Sequence, residues 1–389
     1  MSTDPARSAD DSSEVARPRA SRPDPDVLRE RLQTWLRRRS APEDSASLAQ
    51  AQVTHVHVPE ANGMSSETIL FDATWSGEVH PLVARAAPTE STVPVFPSYE
   101  LDNQFRVMAQ VGEHSTVPVP AVYWSEPDPE PLGAPFFVMA RVSGQVPPDV
   151  MPYNFGSWVT EATQEQRALL QRSSVDVLAQ LHGIDDPAER FSFLRLPGFG
   201  PTVTEALSAH IRRQREYYEW TTHIGPRSPL IERGFAWVEE YLPDDPSPAV
   251  FCWGDARIGN IMYRDFRPVA VLDWEMATLG PRELDLGWMA YLHRFFEDIA
   301  EVAGLEGLPD FLRLSDIAGS YEELTGHSPR DLEFYTTYAA LRQATIMLRI
   351  QTRAIYFGQA ETREDPDDLI MHRASLEAML DGTYWGKLR

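Results

Sequence analysis

Short apolar runs in the first part of the chain alternate with polar positions, as in the strands of a half-buried sheet. These runs predict strands at residues 53–58, 68–75, 80–86, 117–124 and 135–142. Two stretches with apolar residues three and four positions apart, at 25–39 and 99–111, predict helices instead. The first part of the chain is therefore predicted to be a small sheet accompanied by two helices.

Helical spacing dominates the rest of the chain. It predicts helices at residues 166–182, 211–220, 230–242, 284–303, 314–325, 331–357 and 367–380. Ser143 and Gly144, which follow the last predicted strand of the first part, form a natural hinge. We therefore expect three segments, namely a disordered tail at 1–22, a first lobe at 23–142 and a second lobe at 143–389.

Residues 251–275 combine short apolar runs with acidic and amide side chains. The apolar runs in and just before this stretch predict three short strands, at residues 249–252, 261–263 and 269–272. Asp255, Asn260 and Asp273 then lie in loops or at strand ends, where a rigid scaffold can direct side chains towards a ligand. The sequence therefore indicates a functional site built from these three residues.

Oxygen-bearing side chains at such positions suit a hard cation and a proton acceptor. Mg²⁺ takes one or two protein carboxylates or amides and completes its octahedron with phosphate oxygens and water. The spacing Asp255-x-x-x-x-Asn260 equals that of the catalytic loop of protein kinases. An isolated match of this kind also fits a hairpin with ordinary turn residues, but the complete string at 251–275 is much more specific.

Composition and charge narrow the function classes. The formal net charge of -23 argues against a nucleic-acid partner or an anionic membrane surface. The single cysteine, Cys252, cannot form an internal disulfide, and no long apolar run or apolar leader is present, so a cytoplasmic location is expected. Among the 35 basic residues only Lys387 is lysine, so a phosphate-binding cation elsewhere in the chain has to be arginine.

Three motifs in and after the polar stretch occur together. Trp253-Gly-Asp-(x)4-Asn260 is followed by Leu-Asp-Trp-Glu-Met-Ala-Thr-Leu-Gly at 272–280 and by Asp285-Leu-Gly-Trp288. The combination resembles the aminoglycoside phosphotransferase family, and 272–280 is most similar to its acyl-CoA dehydrogenase-associated kinase branch. The resemblance implies an α+β, bilobal protein-kinase-like fold, with ATP or GTP and Mg²⁺ as cofactors. It also implies transfer of the γ-phosphate to a hydroxyl of a small-molecule acceptor.

The resemblance assigns roles to residues of these motifs. Asp255 would be the catalytic base, and Asn260 and Asp273 would be Mg²⁺ ligands. Glu275, expected on a strand and on the same side as Asp273, would be a further ligand or would brace the loop. Asp285 is expected to hold the loop through hydrogen bonds to its backbone.

The first lobe is expected to hold the nucleotide. Residues 61–66 would cover the phosphates, with Ser65 and Ser66 donating hydroxyl groups, although a plain hairpin turn fits this segment equally well. By the same resemblance, backbone groups from Met139 to Arg141 would bind the adenine.

Arg85 lies where the family places its basic ATP-binding residue, usually lysine. A guanidinium can bind phosphate with two N–H groups. On the following helix, Gln104 occupies the position of the usual glutamate partner, and Glu100, one turn earlier, could pair with Arg85 instead. The alternative interpretation of Arg85 is a solvated strand residue.

The acceptor pocket is expected among the helices of the second lobe. Candidates for its lining are Tyr217, Tyr218, Trp220, Tyr335, Tyr338, Arg342 and Arg349. Acceptors of the aminoglycoside type and of the hydroxyacyl-CoA type both occur within the wider family. The competing hypothesis is a kinase-like module that binds nucleotide or a metabolite without turnover. It would account for Trp253, where the family usually has histidine, and for Arg85 and Gln104.

Overall fold

A five-stranded antiparallel sheet forms the smaller, first lobe. The computed structural model describes residues 24–40, 48–59, 66–88 and 93–387. The strands of the sheet are β1 (Gln52–His57), β2 (Glu67–Trp75), β3 (Glu78–Ala86), β4 (Val122–Glu126) and β5 (Phe136–Ala140). Their order is β1-β2-β3-β5-β4. β4 begins later than predicted, because Pro118 and Pro120 have no N–H group to donate to a neighbouring strand.

Each face of this sheet packs against a different layer. Successive side chains of β5 point to opposite faces. Phe136 packs in a cluster with helix α1 (Pro25–Leu36), on the outer face. Phe137 belongs to the main core, together with helix α2 (Leu101–His114) and the second lobe. The sheet is therefore covered on both sides, and its inner face supports the site between the lobes.

Helices make up most of the second lobe. They are α3 (Gln164–His182), α4 (Pro187–Arg190), α5 (Val203–Thr221), α6 (Pro229–Glu240), α7 (Glu283–Ala303), α8 (Leu314–Thr325), α9 (Leu332–Tyr356) and α10 (Arg373–Leu380). α3 begins with a capping box between Thr163 and Gln166, and α5 with one between Thr202 and Glu205. Across the described ranges, we find no helix with the length and apolar character of a membrane span.

Two small sheets between these helices carry the polar stretch. β6 (Val250–Cys252) pairs with β9 (Thr278–Gly280), and β7 (Ile261–Arg264) pairs with β8 (Arg267–Val271). Asp265 and Phe266 form the two-residue turn between β7 and β8, with φ of 50° and 60°, as the tightest hairpins require. The sequence did not predict β9, because three consecutive buried residues show no alternation.

The chain joins the second lobe directly after the predicted hinge. Gln145 and Tyr263 exchange backbone hydrogen bonds of 2.8 and 2.7 Å. A Cβ on Gly144 would lie 2.9 Å from Val269 Cγ2, so a larger residue would press on β8. The lobe boundary at 142/143 stays a proposal. The predicted tail at 1–22 lies outside the described residues.

Two helical glycines provide a matched test of the packing between α7 and α9. A Cβ on Gly287 in α7 would lie 2.8 Å from the backbone carbonyl carbon of Tyr335, whereas a Cβ on Gly319 in α8 would meet nothing within 4 Å. Gly319→Ala should raise the free energy of unfolding by up to about 1 kcal/mol through helix propensity. Gly287→Ala should lower it by about 1–3 kcal/mol, the usual range for overpacking. Calorimetric melting measures both, and equal melting temperatures would contradict the tight contact.

Candidate active site

The carboxylate of Asp285 holds the loop that follows β6. Its Oδ2 accepts the backbone N–H of Trp253 at 2.7 Å, and its Oδ1 accepts that of Gly254 at 2.8 Å. On the other side, His182 Nε2 lies 3.1 Å from Oδ2, and His182 Nδ1 lies 2.8 Å from the Tyr321 hydroxyl. Asp285 and His182 are both buried. The prediction that Asp285 holds this loop through its backbone is confirmed.

Gly254 brings this loop against the segment that follows β8. Its φ is +89°, and a Cβ there would lie 1.9 Å from the carbonyl oxygen of Met276, so only glycine fits. Trp253 joins the same two segments, because its indole N–H lies 3.1 Å from the carbonyl oxygens of both Leu272 and Asp273. The tryptophan therefore links the loop after β6 to the loop that carries Asp273.

Asp255 is surrounded by hydrogen-bond donors. The indole N–H of Trp288 donates to Oδ1 at 2.7 Å, and the side-chain amide of Asn260 donates to Oδ2 at 2.6 Å. Arg257 Nε lies 3.3 Å from Oδ2. Asn260 ends a 3-10 turn, Ile258–Asn260, that leads into β7. The sequence did not indicate the Trp288 contact, because 33 positions separate the two residues.

Asp273 carries an unsatisfied acceptor next to these donors. Its φ is +60°, and its buried Oδ1 has no hydrogen-bond partner in the described structure. Burial raises the pKa of the Asp273 carboxyl, the Arg85 guanidinium lowers it, and the charge of Asp255 raises it. A bound cation would satisfy Oδ1 and favour the charged carboxylate.

Asn260 and Asp273 fit a Mg²⁺ site. The amide nitrogen of Asn260 is committed to Asp255, so its carbonyl oxygen is the atom that can bind a cation. Together with Asp273 Oδ1 it offers the small number of protein oxygens that Mg²⁺ takes. Glu275 lies in a turn, and the expectation of a strand there was wrong, because the positive φ of Asp273 ends the extended backbone.

A second group of metal-ligating side chains lies behind the loop. One ligand atom each from His182, Cys252 and Asp285 lie within 4.8 Å of one another. Both oxygens of Asp285 already accept hydrogen bonds, however, and burial raises the pKa of the Cys252 thiol well above its usual value. Metal binding requires the thiolate. This group is therefore better explained as a support for the loop.

Arg85 lies on β3, where its charge acts on Asp273. Its Nη1 donates to Thr68 Oγ1 at 3.2 Å, on the neighbouring strand β2. Within the described chain, no ion pair joins Arg85 to Glu100, which is exposed at the start of α2. Gln104 is buried one turn further along this helix. The structure thus places the charge of Arg85 near Asp273, without Glu100 as its partner.

The other residues expected to bind nucleotide differ in their burial and hydrogen bonding. Ser66 is buried, and its hydroxyl has no hydrogen-bond partner in the described chain, while Ser65 lies outside the described residues. Met139 is paired with strands on both sides. The N–H of Arg141 donates to the Pro81 carbonyl oxygen at 3.0 Å. The Arg141 N–H is therefore committed to the sheet, and the prediction that backbone groups from Met139 to Arg141 bind adenine rests on the other groups of this segment.

A cavity of about 430 Å³ opens beside the Asp273 loop, between α2, α5 and α9. Its aromatic lining comes from Phe96, Tyr99, Phe193, Tyr217 and Trp274. Its charged lining comes from Glu100, Glu216, Glu275, Arg195, Arg213 and Arg342. Two of the candidate acceptor-binding residues, Tyr217 and Arg342, thus line the cavity. Gln104 also lines it, together with Glu100, although both were expected on the nucleotide side.

The remaining candidates for the acceptor pocket do not line this cavity. The Tyr338 hydroxyl lies 2.8 Å from His210 Nδ1, and the Tyr218 hydroxyl accepts the Ser228 N–H at 2.9 Å. The expectation is therefore corrected for Tyr218 and Tyr338, because both are fully buried and bonded elsewhere. Trp220, Tyr335 and Arg349 are likewise not part of the lining described above.

Comparison with known families agrees with this arrangement. Residues 61–314 match the model of the family described as "Phosphotransferase enzyme family", abbreviated APH. The chain belongs to this phosphotransferase family. The resemblance noted at the motifs between Trp253 and Trp288 is thereby confirmed.

Solved structures of phosphotransferases share the fold. A putative aminoglycoside phosphotransferase from Ralstonia eutropha has a TM-score of 0.64 and 22% identity, covering 92% of this chain and 98% of that chain. A thermostable mutant of aminoglycoside phosphotransferase APH(4)-Ia, in a ternary complex with AMP-PNP and hygromycin B, has a TM-score of 0.52 and 15% identity. That match covers 85% of this chain and 94% of that chain. The predicted α+β, bilobal, kinase-like fold is confirmed.

Curated relatives of this phosphotransferase are named as acyl-CoA dehydrogenases. Probable acyl-CoA dehydrogenase IBR3 of Arabidopsis thaliana is 25% identical over 317 residues, 78% of this chain and 37% of that protein. Acyl-CoA dehydrogenase family member 11 of Homo sapiens is 27% identical over 211 residues, 52% of this chain and 24% of that protein. The chain therefore spans less than two fifths of the length of these relatives.

The raised pKa of Asp273 leads to a prediction about stability. A folded-state pKa above the ordinary value means that ionisation of this carboxyl opposes folding. The cost is fully present above the folded-state pKa and disappears as the pH falls below the ordinary value of 3.8. Asp273→Asn should therefore raise the melting temperature of the ligand-free protein at pH 8 by about 2–4 °C, and by less at pH 4.

Thermal melts at the two pH values check this expectation. Asp244→Asn, at an exposed aspartate, is the matched control and should change neither melt. A lower melting temperature for Asp273→Asn than for wild type at pH 8 would show that the ionised carboxylate stabilises the ligand-free fold.

Proposed function

We propose that this phosphotransferase moves the γ-phosphate of ATP to a hydroxyl group of a small molecule. The observation that carries the proposal is the meeting of Asp255, Asn260 and Asp273 beside Arg85, with one buried oxygen of Asp273 left without a partner. A proton acceptor, two oxygen ligands and a fixed cation are the groups that phosphoryl transfer uses.

Asp255 acts as the base in this reaction. The acceptor oxygen forms a bond to the γ-phosphorus, while the bond from that phosphorus to its bridging oxygen breaks and ADP leaves with the electron pair. The hydroxyl proton passes to the Asp255 carboxylate. Because the transition state is loose, correct positioning of the acceptor contributes more than the strength of the base.

The nucleotide is held by groups from both lobes. Asn260 and Asp273 would bind Mg²⁺, which when bound neutralises charge on the phosphate oxygens. Arg85 neutralises further phosphate charge from β3, and the Ser66 hydroxyl is available to donate to a phosphate. ATP is favoured over GTP because the APH(4)-Ia complex contains AMP-PNP.

The cavity is the acceptor pocket in this proposal. Its lining combines aromatic rings with acidic and basic groups in balance, whereas a polycationic aminoglycoside would favour a surplus of carboxylates. The curated relatives are named acyl-CoA dehydrogenases. We therefore favour an acceptor of the hydroxyacyl-CoA type over one of the aminoglycoside type.

The alternative function is a kinase-like module that binds nucleotide or a metabolite without turnover. Its support came from the unusual residues Trp253, Arg85 and Gln104. Trp253, however, makes hydrogen bonds that join the two loops of the site, so its presence is compatible with an ordered catalytic loop. Catalysis is the function that the assembled side chains support better.

Asp255→Ala tests the proposed function. The variant should lose phosphoryl transfer by at least about 100-fold, the lower range for removal of a general base, and should still bind Mg²⁺-ATP. ADP release from Mg²⁺-ATP is measured with a panel of hydroxyl compounds that includes kanamycin and hydroxyacyl-CoA esters. Wild-type ADP release no greater than that of Asp255→Ala would favour the binding module, and efficient use of kanamycin would reverse the preferred acceptor class.

Arg85 provides a separate test of nucleotide binding. Arg85→Ala should weaken Mg²⁺-ATP binding by about 1.5–3 kcal/mol, the range for charge-assisted hydrogen bonds. Arg85→Lys should recover part of this loss, because the charge returns without the forked contact. Gln104→Ala, on the helix that follows, is the control and should weaken Mg²⁺-ATP binding much less. Titration calorimetry measures the affinity of each variant for Mg²⁺-ATP. An unchanged affinity in Arg85→Ala would show that Arg85 is a solvated strand residue with no role in nucleotide binding.

A further inference from the structure

Arg342 is a buried cation without a carboxylate partner. It lies on α9 with 2% of its surface exposed. Its Nη2 donates to the Gly254 carbonyl oxygen at 3.2 Å, while its Nε is buried without a hydrogen-bond partner. Within the described chain, no carboxylate oxygen lies within the 4.0 Å that defines an ion pair with this guanidinium. Buried arginines are normally paired, so a compensating charge is expected nearby.

Asp255 supplies this charge through an intervening aromatic ring. The guanidinium carbon of Arg342 lies 4.3 Å from the centre of the Trp288 ring. The indole N–H of the same ring donates to Asp255 Oδ1 at 2.7 Å. Trp288 is itself buried. It therefore has a cation against its face and an anion at its edge.

We propose that Trp288 and Arg342 are positioning residues that fix the Asp255 carboxylate for proton transfer. This inference rests on the phosphotransferase function proposed above. A cation on the face of an indole attracts its π electrons and makes the N–H a stronger donor. Because indole donates and does not accept, Trp288 orients Oδ1 without competing for the acceptor proton.

The same two residues connect the base to the acceptor pocket. Arg342 lines the cavity, and its bond to Gly254 joins α9 to the loop that carries Asp255. A shift of α9 at this position would move both the ring of Trp288 and the carbonyl of Gly254. The orientation of the base is thus determined by the helix that forms one wall of the pocket.

A buried indole in the first lobe provides a control for the loss of an N–H group. Arg39 lies 5.1 Å from the ring centre of Trp35, whose indole N–H donates to Glu126 Oε2 at 2.8 Å. Unlike Arg342, Arg39 also forms a direct ion pair with the carboxylate in question, Glu126. Trp35 is buried like Trp288, but it belongs to the cluster between α1 and the outer face of the sheet. Loss of its N–H should disturb the fold to a similar degree without affecting Asp255.

Steady-state kinetics provide the first test. Trp288→Phe keeps a ring beneath Arg342 and removes the N–H. With Mg²⁺-ATP as substrate and water as acceptor, it should lower kcat for ADP release by about 10- to 100-fold and leave KM for ATP within about twofold. Arg342→Met should lower kcat in the same way, and Arg342→Lys should restore part of it. Trp35→Phe should change neither constant.

A double variant distinguishes positioning from structural support. In an Asp255→Ala background, Trp288→Phe should cause no further loss, because its effect passes through Asp255. An equal loss in both backgrounds would overturn the proposal. A fall in kcat of the same size in Trp35→Phe would also overturn the proposal.

A readout without turnover separates this proposal from the proposed function. The indole signal that disappears from the ¹H–¹⁵N spectrum in Trp288→Phe belongs to Trp288. That signal should shift in Asp255→Ala and in Arg342→Met, while the Trp35 signal stays in place. If wild type releases no more ADP than Asp255→Ala with the panel of hydroxyl compounds, the phosphotransferase function fails even where these shifts occur. A Trp288 signal unchanged in both variants overturns the positioning role whatever the turnover.

Discussion

The hydrogen bonds that two consecutive backbone N–H groups donate to the Asp285 carboxylate are the constraint on which the site depends. Asp285 lies in the first turn of α7, a helix of 21 residues, so the loop after β6 is attached to one of the longest rigid elements of the molecule. His182 and Tyr321 hold the carboxylate from behind. Arg342 holds Gly254 and Trp288 holds Asp255 from the other side of this loop, so the anchor at Asp285 acts together with them.

The anchor also reaches the opposite side of the site. Trp253 bonds to the backbone that carries Asp273, and the absence of a Cβ at Gly254 lets the carbonyl of Met276 approach closely. The loop that carries Asp255 and the loop that carries Asp273 are therefore joined by hydrogen bonds and close packing. The buried Oδ1 of Asp273, which has no hydrogen-bond partner in the described structure, thus lies in a loop that is joined to the loop of Asp255.

The sequence predicted the parts of this protein that depend on local pattern. Strand alternation located β1, β2, β3 and β5, and motif spacing singled out Asp255, Asn260 and Asp273, which the structure brings together. It could not predict the backbone conformation of Asp273, because a positive φ at aspartate leaves no trace in hydrophobic periodicity. Glu275 was placed on a strand for this reason.

Contacts between residues that are far apart in the sequence could not be predicted from local pattern either. Tyr217 and Tyr218 are neighbours in sequence, yet one lines the cavity and the other is bonded within the core. The direction of each side chain from a helix depends on the packing of α5 against α9, which residue type does not reveal. Trp288 was visible as part of a motif, but only the packing of α7 showed what its indole contacts.

The arginine on β3 has a chemical consequence that extends beyond charge. A guanidinium is protonated at every physiological pH and is therefore not a nucleophile, in contrast to the ε-amine that most kinases place at this position. Lys387, at the end of the chain, is the single lysine. Activated acyl esters and other amine-modifying electrophiles therefore find no lysine amine among the residues that surround Asp255, Asp273 and the cavity. Lysine-directed covalent labelling of this site is thus ruled out by composition alone.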